Sequence, residues 1–168
     1  MNLTDAARIR PADPGDTSDL ARLRHALYGE HSRAQEPLDV YAARFAGFVR
    51  DALASDAWRI WVAELDTRVV GAMWLQLVER VPRPGEERGS LPIGYLTNVF
   101  VEPELRDAGL GSRILREVVA WARRRGVEEI IVWPSERSYP FYERAGFSRT
   151  PDPIALYLTD EHVTRSPG

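Results

Sequence analysis

An arginine and two glycines, Arg106, Gly109 and Gly111, stand where an apolar strand gives way to an amphipathic helix. Glycine has no Cβ, so an anion can closely approach the amide groups of residues 107 to 112, and a helix start carries a partial positive charge. Arg106 adds a permanent charge. The pattern predicts a site for a diphosphate-sized anion. Short glycine motifs are common, so a simple strand-to-helix turn is the alternative.

The spacing of these glycines excludes two familiar nucleotide-binding loops. No Gly-x-x-x-x-Gly-Lys-Ser/Thr sequence occurs in the chain, which excludes a P-loop. A dinucleotide-binding loop needs a third glycine where Ile114 stands and an acidic residue at the end of the next strand, where the sequence has Trp133. The predicted anion site therefore belongs to another class.

A second candidate for chemistry is the phenol of Tyr142, about thirty residues after the glycine loop, in Phe141-Tyr-Glu-Arg-Ala-Gly-Phe147. The chain thus contains Arg-x-x-Gly-x-Gly after Val-x-Val-x-Pro and, further on, Phe-Tyr-x-x-x-Gly-Phe. Together these motifs resemble the GNAT superfamily of acyl-CoA-dependent N-acyltransferases, most densely from about Ile93 to Phe147. Two linked motifs are far more specific than either one alone.

The resemblance implies a fold and an acyl donor. The fold is α/β, with a GNAT-like mixed, mostly antiparallel sheet, splayed central strands and about four flanking helices. The donor is acetyl-CoA (coenzyme A), whose pantetheine arm would pair with the backbone of Val99 and Val101 in the gap between the splayed strands. The cofactor-binding residues implied are Val99, Phe100, Val101, Arg106, Asp107, Ala108, Gly109, Leu110, Gly111, Ser112, Ser135, Ser138 and Phe141.

By the same resemblance, Tyr142 is the catalytic residue, a general acid that assists the departing thiolate. The alternative is an aromatic side chain that only packs the core. An unperturbed phenol has a pKa near 10 and a thiol near 8.5, so full proton transfer costs roughly 2 kcal/mol and a hydrogen bond to the sulfur suffices. Several positions depart from the family pattern. Near the predicted diphosphate, Asp107 places a negative charge and Ala108 adds no positive one, and Ser135 stands where relatives often have Asn.

The sequence does not single out a proton acceptor. Relatives often carry Glu or His on the strand that ends at Val101, whereas this chain has Tyr95 and Thr97 on the face expected to line the cleft. Neither side chain is a base at neutral pH. An amine that arrives neutral needs no base. The other candidates, each of which also fits a solvated surface residue, are Glu30, Glu36, Glu79, Glu102, His25 and His31.

Composition limits the class of protein. The 168 residues carry a formal net charge of -3, which argues against a general nucleic-acid binder. The absence of cysteine excludes disulfides and thiolate catalysis, and the three dispersed histidines show no metal-ligand spacing, so no metal is expected. No apolar run approaches the roughly 20 residues of a membrane-spanning helix. We expect one cytoplasmic domain over residues 1–168, with 160–168 frayed.

Hydrophobic periodicity and turn signals predict the elements that carry these motifs. A first helix should be capped by Asp16 or Thr17. A second, from about Asp39 to Ala54, has a spacing that favours core packing over a ligand site for Tyr41, Phe45, Phe48 and Ala52. The other predicted elements are strands 7–10, 58–65, 68–78, 93–101 and 128–133, helices 112–125 and 139–144, a loop over 80–92 and a last hairpin ending in 154–158.

The sequence therefore predicts an N-acetyltransferase that moves an acetyl group from acetyl-CoA to a primary amine of a small molecule or peptide. Small amines or amino acids, an aminoglycoside-like antibiotic and a protein N-terminus or lysine are all open as acceptors, because the selecting residues lie in 29–39, 80–92 and the last hairpin. Neither nucleic acid nor membrane is expected as a partner, and a homodimer is left open. The alternative is a non-catalytic acyl-CoA-binding regulatory module.

Overall fold

The chain reverses direction at Asp66-Thr67, between two strands rich in β-branched and aromatic residues. In the computed structural model, which describes residues 6–30, 36–85 and 91–150, β2 (Trp58–Leu65) and β3 (Arg68–Val78) pair in antiparallel register across this turn. Asp66 and Thr67 have φ values of 49° and 67°. Two positive φ values in succession are what a tight hairpin of the right twist requires. The predicted hairpin is confirmed.

Among the described residues, three further strands join this hairpin in one sheet. They are β1 (Arg8–Pro11), β4 (Ile93–Val101) and β5 (Glu129–Val132), and the spatial order is β1-β2-β3-β4-β5. All neighbours are antiparallel except β4 and β5, which are parallel. A parallel pair needs a long crossover, and a helix supplies it here. The predicted mixed, mostly antiparallel sheet is confirmed.

The described residues form four α-helices, which is the number predicted. They are α1 (Thr17–Gly29), α2 (Leu38–Ala54), α3 (Leu110–Arg125) and α4 (Tyr139–Arg144). The helix α3 begins at Leu110 rather than at the predicted Ser112, so part of the glycine motif forms its first turn. No helix among the described residues is long and apolar enough to span a bilayer.

Contacts divide the chain into two compact units, Met1–Pro134 and Ser135–Gly168. The first contains the sheet with α1, α2 and α3. The second contains a 3-10 turn at Glu136–Ser138 followed by α4. The predicted hairpin ending in 154–158 and the predicted frayed tail lie outside the described residues. The single domain over 1–168 stays a prediction.

The helices α1 and α2 pack on one face of the sheet and α3 on the other. Ile60 and Val62 of β2 belong to a buried cluster with residues of α1 and α2, whereas Trp61 between them contacts Trp121 of α3, with ring centroids 5.5 Å apart. Successive side chains of a strand point to opposite faces, so the two helix layers lie on opposite sides. The face that carries α1 and α2 also carries the pocket described below.

The start of α1 is held by a buried ion pair rather than by the predicted cap. Asp16 occupies the N-cap position, yet its side chain makes no cap hydrogen bond. Its carboxylate instead accepts hydrogen bonds from Arg10 at 2.7 and 2.8 Å and from the Asp13 backbone N–H at 2.8 Å. Burial raises the pKa of Asp16, but these hydrogen bonds outweigh burial and leave the pKa below its ordinary value. The contact fastens α1 to β1.

Candidate active site

The strand β4 contains a bulge in the part of the sheet where the sequence predicts a cleft. The pairs Trp74↔Thr97 and Ala72↔Phe100 leave two residues of β4 opposite one of β3. Asn98, inside the bulge, has a φ of 49°. Asn is among the few residues that adopt this left-handed conformation readily. The extra residue shifts the alternation of side chains, so Asn98 joins Thr97 beside a pocket and Phe100 points into the core.

Beyond the bulge, one edge of β4 runs past its parallel neighbour. Pairing with β5 ends at Leu96↔Val132, whereas β4 continues to Val101. The Glu102 N–H donates to the Val70 carbonyl at 3.0 Å, which fixes that peptide group toward β3. Neighbouring peptide groups alternate in direction, so those of Val99 and Val101 point to the opposite edge. In the described part of the chain, no strand lies beside that edge.

The glycine loop follows β4 and leads directly into α3. Gly109 has a φ of 81°, and a Cβ added there would meet nothing within 4 Å. The first hydrogen bond of α3 runs from the Arg113 N–H to the Gly109 carbonyl at 3.1 Å. The N–H groups of residues 110 to 112 precede this bond and have no partner within the helix. An open cradle at a helix start, formed by backbone donors, is suited to an anion.

Arg106 lies at the entrance of the loop and is held by three contacts. Its Nε donates to the Val101 carbonyl at 3.0 Å, its Nη2 forms an ion pair with Glu30, and its guanidinium lies 5.2 Å from the centroid of the Phe100 ring. Arg113, the other nearby cation, donates to the Ala7 carbonyl at 2.8 Å and so ties α3 to the residue before β1.

Phe100 does not have the position expected of a cofactor contact. Its side chain is 4% exposed and belongs to the core cluster. Its position opposite Ala72, two residues before Glu102, directs its peptide groups toward β3. The Phe100 ring therefore packs against the Arg106 guanidinium, and its contact with the cofactor stays a prediction.

A pocket of about 710 Å³ opens between α1, α2 and the strands β2, β3 and β4. Its polar lining is Arg24, His25, Glu36, Arg44, Thr97 and Asn98, and its aromatic lining is Tyr28, Tyr41, Phe45, Phe48, Trp58, Trp74 and Tyr95. The position of Tyr95 and Thr97 on the cleft face, predicted from strand alternation, is confirmed. This volume is in the usual range of small-molecule sites.

The prediction that the aromatic face of α2 packs the core is confirmed for Ala52 and Phe45 but wrong for Phe48, and Tyr41 lies in the pocket lining. Ala52 is buried as predicted, but Tyr41, Phe45 and Phe48 line the pocket, and Phe48 is 47% exposed. The helical spacing is the same for a face that meets a core and for a face that meets a cavity. The spacing therefore could not tell the two apart.

The aromatic side chains form a continuous wall. Phe45 lies 5.1 Å from Tyr41 and 5.9 Å from Trp74, measured between ring centroids, and Phe48 lies 5.6 Å from Trp58. These distances are typical of favourable aromatic pairs. Trp74 is buried, and among the described residues its indole Nε1 has no hydrogen-bond partner. A buried unpaired donor costs about 1–3 kcal/mol, so the packing of this ring has to offset it.

The charged groups of the pocket lie around this wall. Arg44 forms an ion pair with Glu36 and lies 5.6 Å from the centroid of the Tyr41 ring. Arg24 lies 5.0 Å from the centroid of the Tyr28 ring. Burial raises the pKa of Tyr41 above its ordinary value despite the two arginines beside it. The phenol of Tyr41 is therefore neutral at physiological pH.

Tyr142 belongs to the second unit and is described there by itself. It is 6% exposed, and its ring contacts Phe141 at 5.0 Å and Phe147 at 5.4 Å between centroids. Burial raises the pKa of its phenol to about 12. In the same unit the Ser135 hydroxyl donates to the Ser138 hydroxyl at 3.2 Å, and that hydroxyl donates to the Ser135 carbonyl at 2.8 Å.

Comparisons with known proteins agree with this geometry. Residues 20–147 match the family described as Acetyltransferase (GNAT) family. This chain belongs to the GNAT family. Across 128 residues it is 30% identical to an aminoglycoside N(6')-acetyltransferase type 1 of Stenotrophomonas maltophilia, covering 76% of this chain and 75% of that protein. The predicted family and the predicted N-acetyltransferase activity are confirmed, with the amine unspecified.

Two further proteins extend the comparison. A glucosamine 6-phosphate N-acetyltransferase of Trypanosoma brucei brucei is 35% identical over 80 residues, 48% of this chain, and the match spans about half, 51%, of that relative. A crystal structure of a predicted acetyltransferase with acetyl-CoA from Clostridium acetobutylicum has a TM-score of 0.75 at 24% identity, covering 90% of this chain and 96% of that one. That likeness establishes the fold.

The structure separates the base candidates of this GNAT enzyme. Glu102 is not solvated: it is 9% exposed and paired with Arg22 and Arg68. Glu30 is paired with Arg106, and Glu79 is exposed and absent from the pocket lining. His31 lies outside the described residues.

His25 and Glu36 are the two of these candidates that line the pocket. The Nε2 of His25 lies 2.8 Å from the Glu36 carbonyl oxygen. A carbonyl only accepts, so Nε2 carries the proton, and the lone pair of a neutral imidazole is on Nδ1. Glu36 is exposed and paired with Arg44. His25 is therefore the candidate best placed to accept a proton.

Proposed function

We propose that this protein uses acetyl-CoA to acetylate a primary amine held in the aromatic pocket. One observation carries the proposal. The N-terminal N–H groups of α3 and the open edge of β4 are consecutive in the chain, and Arg106 spans them by its hydrogen bond to the Val101 carbonyl. A donor with a diphosphate at one end and amides further along would use both features.

The residues of the first unit fit such a donor. The diphosphate would be held by the N–H groups of the loop, where the space above Gly109 leaves room for it. The peptide groups of Val99 and Val101 would pair with the amides of the pantetheine arm as a further strand would. The residues proposed to contact the donor here are Val99, Val101, Arg106, Asp107, Ala108, Gly109, Leu110, Gly111 and Ser112.

Arg106 would have to loosen its ion pair with Glu30 to meet a phosphate. The exchange is between two anions of similar chemistry, so its cost is small when the incoming group carries more charge than a carboxylate. Asp107 is exposed, and its negative charge repels an incoming phosphate. We therefore expect donor affinity to rest chiefly on the backbone donors of the loop.

The pocket would orient the amine and let its proton leave. Acetyl-CoA supplies an acetyl thioester, so the amine nitrogen forms the new bond to the acetyl carbon, the carbon–sulfur bond breaks, and the proton lost by nitrogen balances the thiolate. Only a neutral amine attacks. His25 is the side chain proposed to take the proton from an amine that arrives charged, because its Nε2–H donates to the Glu36 carbonyl.

The roles of Tyr142, Ser135, Ser138 and Phe141 rest on the sequence motif. Tyr142 is proposed to donate a hydrogen bond to the departing sulfur. A pKa of about 12 means that its proton is held more firmly than in a free phenol. This supports a hydrogen bond over full proton transfer, since a thiolate of ordinary pKa near 8.5 is too weak a base to take that proton.

Release of free CoA, measured against a panel of primary amines, tests the proposal. We expect release to depend on both the amine and the protein, and mass spectrometry to find the N-acetylated product. Titration calorimetry with CoA provides the second measurement. Binding of CoA without release for any amine would instead support the non-catalytic module. Absence of CoA binding in the folded protein would overturn the assignment of the loop.

A further inference from the structure

The charge and ring content of the pocket indicate which amine it accepts. We propose that the acceptor is an aromatic α-amino acid or close analogue, with a planar ring on the pocket wall and an anionic group beside the amine at Arg24. This inference rests on the proposed function, because it names the substrate of the same site. It goes beyond that function by selecting one of the three acceptor classes that the sequence leaves open.

The wall of the pocket favours a ring. Phe48 is 47% exposed and Tyr28 is 58% exposed, although both are large apolar side chains. Behind Phe48, the rings of Trp58 and Trp74 hold it at centroid distances of 5.6 and 5.9 Å. A wall of fixed rings with an exposed face loses little conformational freedom when a planar ligand stacks on it.

Of the two arginines that line the pocket, Arg24 lies at the end that borders β4. The Arg24 Nη1 donates to the Asn98 Oδ1 at 3.4 Å, and Asn98 is the bulge residue where the open edge of β4 begins. Among the described residues, no carboxylate forms an ion pair with Arg24. Since the acetyl group would be delivered along that edge, an anion bound by Arg24 is close to the attacking amine. An α-amino acid has its carboxylate in that position.

Charge also argues against a polycationic acceptor. Glu36 is the one carboxylate among the described lining residues, and it is already paired with Arg44. An aminoglycoside carries several ammonium groups, which need carboxylates that this lining does not supply. A carboxylate and a phosphonate share the chemistry that Arg24 recognises, so both belong to the test.

The test compares acceptors that differ in one group. Tryptamine lacks only the carboxylate of L-tryptophan, and phenethylamine only that of L-phenylalanine. We expect kcat/KM to be about 10- to 100-fold higher for each amino acid, the range of one charge-assisted hydrogen-bonded contact. The phosphonate analogue of phenylalanine distinguishes a pocket for carboxylates from one for phosphate-like groups, and turnover of either above phenethylamine supports the inference.

A variant of Arg24 assigns the preference to this side chain. Arg24→Gln keeps an amide donor near Asn98 but removes the charge, and should bring kcat/KM for L-phenylalanine within about 3-fold of that for phenethylamine. Arg50→Gln, an arginine whose side chain is 76% exposed and paired with Asp51, is the matched control and should keep the preference. Binding of L-phenylalanine, followed by tryptophan fluorescence without a donor, should weaken in Arg24→Gln alone.

Other outcomes would contradict the inference about the acceptor without contradicting the proposed function. Preferred acetylation of glucosamine 6-phosphate or of an aminoglycoside would contradict the ring or the charge argument, although the protein would still be an acetyl-CoA-dependent enzyme. Equal rates for tryptamine and L-tryptophan would contradict the role of Arg24. If no amine in the panel is acetylated while CoA still binds, the proposed acetyltransferase function is contradicted, and the inference about its substrate falls with it.

Discussion

The glycine loop and the aromatic pocket are built in opposite ways. The loop consists of consecutive residues, 106 to 112, and its binding groups are backbone N–H groups at the start of α3. The pocket takes its lining from α1, α2 and three strands, over positions 24 to 98, and its binding groups are side chains. The comparison shows that a site formed by a short stretch of backbone can be read in the sequence, whereas a site formed by distant side chains cannot.

The two regions also differ in what a substitution can remove. The loop contributes peptide groups, so only a change that fills its space or alters its backbone can damage it. The pocket contributes rings and charges, which substitutions remove one at a time. Variants in the two regions should therefore separate donor binding from acceptor turnover.

The largest effect should come from Gly109→Val. The side chain would fill the open cradle, and a non-glycine residue at a φ of 81° adds about 1–2 kcal/mol of strain. We expect CoA affinity in calorimetry to fall by more than about 100-fold. Gly126→Val, at a φ of 77° at the other end of α3, is the matched control with similar strain. Unchanged affinity in folded Gly109→Val would show that the loop binds no phosphate.

Tyr142→Phe tests the one predicted catalytic side chain that lies in neither region. The change removes the donor but keeps the ring and its contacts with Phe141 and Phe147. We expect kcat to fall about 100-fold, the lower range for loss of a positioned acid, with CoA affinity unchanged. Tyr139→Phe on the same helix serves as the control. Wild-type turnover in Tyr142→Phe would mean that the residue only packs.

Asp16→Asn tests whether the scaffold of the pocket depends on the ion pair at the start of α1. Breaking a buried pair is costly, and we expect about 2–3 kcal/mol less stability toward urea at pH 7. The folded-state pKa of Asp16 lies below its ordinary value of 3.8, so the contribution of this carboxylate to stability is present above pH 3.8 and is lost as the pH falls through the lowered pKa. The difference from wild type should therefore shrink below about pH 4.

The control for that measurement is Asp51→Asn, whose carboxylate is 71% exposed and pairs with Arg50. It should change stability by less than about 0.5 kcal/mol. An Asp16→Asn protein as stable as wild type at pH 7 would show that the pair with Arg10 does not hold α1 in place.

Phe48→Ala should damage the pocket alone. Removing an exposed ring of the wall lowers kcat/KM for an aromatic amine by about 10-fold, since one aromatic contact accounts for roughly that factor. CoA affinity should stay at the wild-type value because Phe48 lines the aromatic pocket, whose lining includes no residue of the glycine loop. Val40→Ala, at a 52% exposed position of the same helix, is the control. Parallel loss of CoA binding would show that the two regions are coupled.

The smallest expected effect concerns the shape of the pH profile of kcat/KM. If the amine loses its proton in solution and no enzyme base is needed, kcat/KM should rise with pH along the deprotonation curve of the amine. Two amines of different basicity should then show inflections at different pH values. Because the pKa of Tyr142 is about 12, no fall from loss of its proton should appear below about pH 11. One shared inflection near pH 6 to 7 would indicate an enzyme base, and His25→Gln should then abolish it.

Some elements could be predicted because their signals are local. The turn at Asp66-Thr67, the strand before the glycine loop and the helix after it are each decided by residues within a few positions. The interpretation of α2 was incomplete for a different reason: a helix face with Tyr41 and Phe48 has the same periodicity whether a core or a cavity lies against it. The bulge at Asn98 was missed as well, although Asn before two apolar residues is a weak signal for a left-handed position.

The amino-acid sequence by itself determined the family, the glycine loop and the motif that contains Tyr142, because each is a run of neighbouring residues with few allowed conformations. Only the tertiary structure decided which charged side chains form ion pairs within the protein and which line the pocket. It buried Glu102 between two arginines, paired Glu30 with Arg106, and brought Arg24 beside Asn98. Three of these contacts, Arg22–Glu102, Arg24–Asn98 and Glu30–Arg106, join residues separated by 74 or more positions, so each of them requires α1 to be packed against the sheet.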